Sequence, residues 1–227
     1  TNTSGLPFNF TDSKWTNYQY RFYTASTPIN SNPISVNFVG GSGNGSATPL
    51  SSGQIAGVIT VSNWNNVAQI AASGTASGLL DSSGNPTPAS VTWSADDLWS
   101  SPISEVNANY QLMKGYLDNP EDDISVSVSG LPHNANDVYV YFNDDNDTGG
   151  TAASYTIGSN RIYGYDAGRF AGTFILASGT NAADPNAVGN YVVFKNVRGT
   201  SFTLTAHPED AVHRSPVNGI QIVPSAP

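Results

Sequence analysis

The sequence predicts an all-β fold, an antiparallel β-sandwich of the jelly-roll kind with about twelve strands and little helix. Three observations carry that expectation. Short runs rich in Val, Ile, Tyr and Phe recur at spacings of about ten residues, clusters of Gly, Pro, Asn and Asp separate them, and no helical pattern outlasts about two turns. No internal repeat of the kind that marks a propeller or solenoid accompanies them.

Taken in order, residues 1–33 read as an N-terminal arm and linker packed on the main domain. Gln19 to Tyr23 supplies one strand, and Thr27 to Pro33 is the linker into the main body. The sandwich domain is expected over 34–227. Ile34 to Val39 is its first strand, closed by the Gly-rich stretch Gly40 to Gly45, and Ala56 to Val61 is the next. The small, polar segment from Ala68 to Pro88 is expected to wander over the surface. Ser90 to Ser94 is a strand, Leu112 to Leu117 is a short apolar element of undecided type, and an acidic turn runs from Asp118 to Asp123. Beyond it Ile124, Val126 and Val128 alternate with serines, which predicts a strand with one wet face.

The strand from Asp137 to Phe142 organises the chain. Side chains of an extended segment alternate, so Val138, Val140 and Phe142 share one face and Tyr139 and Tyr141 the other, and both faces can be covered. A hairpin follows around Gly158 to Asn160. Phe170 to Leu176, Tyr191 to Phe194, Phe202 to Ala206 and Val217 to Val223 complete the strand set.

Composition excludes several function classes. The balance of 8 Lys+Arg against 17 Asp+Glu gives a net charge of −9, with the basic residues scattered singly, so neither nucleic acid nor an anionic membrane surface is an expected partner. The absence of Cys removes thiol chemistry, disulfides and Cys-type zinc sites. A polar surface built from Ser, Thr, Asn and Gly, and a chain beginning at Thr1 without a signal-peptide pattern, suggest a mature or excised piece of a secreted, extracellular bacterial protein.

Two acidic loops suggest a hard cation. Asn143, Asp145 and Asp147 place oxygen side chains at every second position before Gly149, and Asp118 and Asp122 belong to the second loop; both are candidate calcium sites, with ordinary solvated turns as the alternative. Exposed Trp and Tyr among amides and carboxylates are the chemistry of sugar recognition, because ring faces stack on sugar C–H faces while polar neighbours bond the hydroxyls. Trp64 with Asn66, Trp99, and the loop of Tyr163, Tyr165 and Asp166 are the candidates. Catalysis finds less support. The chain has no GxSxG element, His207 and His213 are not in a metal-ligand spacing, and Asp96 and Asp97, between Trp93 and Trp99, are adjacent and so cannot face each other across a substrate as a glycosidase dyad does.

The strands from Ile34 to Gly41, from Asp137 to Phe142 and from Pro216 to Val223 resemble those of the malectin-like and galactose-binding-like group of β-sandwich carbohydrate-binding modules. The likeness spans about residues 34 to 223. It implies a jelly roll, often with a structural calcium, that binds polysaccharide through loops at one end or across one face and sits as a monomeric module in a larger multidomain chain. The arm 1–33 and the segment 68–88 have no counterpart in that group. The alternatives are a calcium-stabilised structural or adhesive β domain and a polysaccharide-active enzyme.

Overall fold

The computed structural model describes residues 32–41, 47–119, 122–146, 151–209 and 214–225, so the predicted strand at Gln19 to Tyr23 and the candidate ligand Asp147 lie outside the described residues. Two sheets face each other. One has five strands in the order β11-β8-β13-β1-β2, built from β1 (Ile34–Phe38), β2 (Asn65–Val67), β8 (Ala135–Tyr141), β11 (Tyr191–Arg198) and β13 (Gly219–Pro224). The other has six in the order β10-β9-β12-β7-β4-β3, from β3 (Ser73–Ser77), β4 (Ser90–Ser94), β7 (Ile124–Ser129), β9 (Thr151–Ile157), β10 (Asn160–Asp166) and β12 (Phe202–Pro208). All pairings are antiparallel except β1 with β2. A separate ribbon pairs β5 (Asp97–Ser100) with β6 (Gly115–Asp118), and between them runs a short helix α1 (Ala108–Leu112), capped by Asn107 and the only α-helix among the described residues.

The alternation read from the sequence is realised in the packing. Val138, Val140 and Phe142 join Val36, Ile220 and Ile222 in the core between the sheets, opposite Val126, Val128 and Leu204 of the second sheet. Tyr139 and Tyr141 point the other way, into a second core on the outer face of the five-stranded sheet with Trp64, Leu112, Met113 and Phe170. Tyr141 hydrogen-bonds Gln221 and accepts from Val58 N at 2.8 Å, so its buried hydroxyl is satisfied.

Three local expectations are corrected and one open reading is resolved. Ala56 to Val61 is not a strand: Gly57 takes φ 88° and turns the run back, leaving a single bridge between Ala56 and Val61. Phe170 to Leu176 is interrupted in the same way by Gly172 at φ 92°, and its rings cover the second core. The undecided element at Leu112 to Leu117 is two elements, the end of α1 and most of β6. The segment from Ala68 to Pro88 holds the edge strand β3 and a turn fixed by Asp81, whose Oδ1 accepts from Ser83 N at 2.8 Å and Asn85 N at 3.0 Å.

Candidate functional site

The β5–β6 ribbon is seated by backbone approach. At the end of β1, Gly40 and Gly41 lie so near the ribbon that a Cβ on Gly41 would stand 2.1 Å from the Leu98 carbonyl oxygen. Gly41 N donates to Trp99 O at 3.3 Å, and Leu117 and Val217 exchange backbone bonds of 3.0 and 3.3 Å. Buried Asn218 completes the mounting, with Nδ2 donating to Met113 O and Gly115 O and Oδ1 accepting from Asn143 N at 2.6 Å.

Alternation then sorts the ribbon's side chains. Leu98 and Leu117 face the core, while Asp97 lies opposite Asp118 and Trp99 opposite Tyr116. Asp97, Trp99 and Asp118 line a cavity of about 350 Å³, joined by Asp96, by Asp145 from the loop after β8 and by Arg214. Asp145 braces the aromatics, its Oδ2 accepting from Trp99 Nε1 at 3.0 Å and its Oδ1 from the Tyr116 hydroxyl at 3.4 Å. Arg214 Nη1 donates to Asp118 Oδ2 at 2.7 Å.

Asp118 is the buried member. Its side chain is 5% exposed, and Oδ1 is sealed from solvent with no hydrogen-bond partner. Burial pushes its carboxyl up to about 6, with the Arg214 cation pulling the other way and the Asp145 charge adding to the rise. Like charges directly opposite on paired strands also cost stability.

Three candidate residues are therefore brought together: Trp99, Asp118 and Asp145. The others lie elsewhere. Trp64 is 5% exposed, its ring tilted on Tyr141 at 6.1 Å and its Nε1 bonded to Val61 O, so the side chain serves the second core instead of standing free among the amides beside it. Asn66 spends its amide on Asn37 and on both backbone groups of Leu50. Tyr163 and Tyr165 sit half-buried on β10, where their backbones bridge to Gly179 and Val188, and neither lines the cavity. Asp166 is buried beside a second hollow of about 240 Å³, and accepts from Gly168 N and Asp144 N, each at 3.3 Å.

The candidate calcium ligands do not assemble among the described residues. Asn143 is buried, donating to Met113 O at 2.8 Å and accepting from Phe170 N at 2.6 Å, and the main-chain carbonyl of the exposed Asp122 takes a bond from Asn119. No group of three or more Asp, Glu or His side chains there is close enough to hold one metal ion. The two acidic loops instead contribute Asp118 and Asp145 to one wall system around Trp99. Arg214 and Tyr116 were not among the sequence candidates. The strict alternation Tyr116, Leu117, Asp118 opposite Asp97, Leu98, Trp99 was the available signal for Tyr116, whereas nothing local marks Arg214, which is 96 residues from its partner.

No protein-family model matches the chain, and no curated protein does. Solved structures similar to it include a calcium binding mutant of Bacteroides uniformis beta-glucuronidase 2, over 87% of this chain at 9% identity and a TM-score of 0.46. The ANXUR1 extracellular domain from Arabidopsis thaliana is similar over 85% at 14% identity and 0.42, and a structure of the plant peptide RALF23 in complex with FER and LLG2 over 87% at 14% and 0.33. The chain spans 18%, 47% and 40% of those chains respectively. At TM-scores under 0.5 this likeness decides neither family nor ligand. No helix among the described residues is long and apolar enough to cross a membrane.

Proposed function

We propose that this β-sandwich is a non-catalytic carbohydrate-binding module of an extracellular multidomain protein, and that its glycan enters the cavity walled by Trp99. One observation carries the reading: an indole held in place by a carboxylate stands in a cavity of about 350 Å³ whose other walls are polar. That combination supplies both parts of sugar recognition, an aromatic surface for the C–H face of a ring and charged hydrogen-bonding groups for its hydroxyls. Tyr116 and Asp145 fix the platform before a ligand arrives, which lowers the ordering cost of binding.

Titration of soluble oligosaccharides followed by Trp fluorescence and calorimetry is the test. Trp99→Ala is expected to weaken binding about tenfold or more, of the order of 1.4 kcal/mol, with an unchanged melting temperature. Trp64→Ala is expected instead to lower the melting temperature through loss of the second core. Binding that survives Trp99→Ala would place the glycan site elsewhere. A parallel assay for new reducing ends is expected to show none.

A further inference from the structure

We infer that the glycan taken by the Trp99 cavity carries a protonated amine, as a 2-amino-2-deoxy sugar does, a step that rests on the glycan reading above. Charge and unmet hydrogen bonding in the cavity both point to it. Among the described residues four carboxylates, those of Asp96, Asp97, Asp118 and Asp145, line the cavity, and the one cation lining it, Arg214, is already bonded to Asp118 at 2.7 Å. Asp97 and Asp118 are cross-strand partners, so the ribbon sets two acidic residues on the same face. Asp118 Oδ1 adds an independent sign, because a buried carboxylate oxygen without a donor is costly and marks a group that something else completes.

Each kind of ligand meets these walls differently. A neutral sugar supplies hydroxyl donors but leaves the excess negative charge in place. A sugar acid adds to it. A single metal ion needs several oxygens converging at about 2.3–2.6 Å, and the described acidic side chains spread around a wider space instead. An ammonium on a sugar ring offers three N–H donors and a positive charge that spread carboxylates can share, while the ring lies on Trp99 and the charge gains from the indole face. N-acetylation of the sugar removes both the charge and two donors, so it is the discriminating change.

The test is calorimetric titration of the intact domain, at fixed pH, with glucosamine trimer, its N-acetylated counterpart, a neutral glucose trimer and trilysine. The glucosamine trimer is expected to bind at least tenfold more tightly than the other three and to weaken with added salt. Asp97→Asn and Asp96→Asn, each checked for an unchanged melting temperature, are expected to reduce that affinity about fivefold or more. Asp137→Asn, which removes a charge at the far end of β8, is expected to leave it unchanged. Equal binding of the acetylated or glucose trimer overturns the amine and keeps the glycan reading. Equal binding of trilysine, or equal weakening by Asp137→Asn, shows attraction to any polycation and overturns the inference. Binding of none of the saccharides removes both readings.

Discussion

Gly115→Ala is expected to lower stability by about 4 kcal/mol, and with it the melting temperature by about 10 °C, and to abolish ligand binding at the Trp99 cavity in whatever folded protein remains. The reason is distance. A Cβ at Gly115 would lie 1.7 Å from the Val39 carbonyl oxygen, 2.3 Å from its carbon and 2.9 Å from Gly40 N, all backbone atoms that cannot swing aside. Relief requires the β5–β6 ribbon to lift from the end of β1, and that ribbon carries Asp97, Trp99 and Asp118. Lifting it also strains the Asn218 bonds to Gly115 O and Met113 O. Thermal melting of the variant, with Trp fluorescence to follow the indole's surroundings, checks the expectation. A melting temperature within about 2 °C of the parent would show that the ribbon is not mounted in this way.

The second large effect concerns pH. Burial pushes the Asp166 carboxyl up to about 7, and the neighbouring Asp144 charge pushes in the same direction, against the bonds from the Gly168 and Asp144 amides. The folded chain therefore keeps a proton that the unfolded chain gives up near its ordinary carboxylate value of about 4. Between about pH 4 and pH 7 the folded state binds more protons than the unfolded one, so unfolding free energy falls as pH rises, then levels once Asp166 is ionised in both. At about 1.4 kcal/mol per pH unit the fall from this one group approaches 4 kcal/mol. Asp118, pushed up to about 6 chiefly by burial, contributes with the same sign over a shorter window.

Asp166→Asn has no proton to lose. It is expected to flatten the dependence and to be more stable than the parent at pH 8 by about 2 kcal/mol, the remainder being offset by a backbone N–H that loses its acceptor. Denaturant unfolding at pH 4.5, 6 and 8, on both proteins, measures it. Parallel curves for parent and variant would remove Asp166 from the account.

The strand carrying Val138, Tyr139, Val140 and Tyr141 was legible because residue type alternates with a period of two and both sets are apolar enough to be buried. The glycine pair Gly40-Gly41 was legible as a break, but its use as a close-approach surface was not, since the atoms it meets belong to residues 57 or more positions away. Trp64 and Trp99 show the limit most directly. Each is a Trp among polar neighbours in sequence, yet one ring is sealed under Tyr141 and the other lines a cavity, because loop packing against the outer sheet face decides the first and ribbon mounting decides the second.

Fold class, the period-two faces of the main strands and the classes of partner disfavoured by charge were readable from the residues alone, because local geometry and composition set them. That two separate acidic loops meet around Trp99, that Asp97 stands opposite Asp118, and that Arg214 closes the wall came from the folded chain. Those facts follow from long-range backbone pairing and close glycine contacts, whose partners lie too far apart along the chain for any local pattern to carry them.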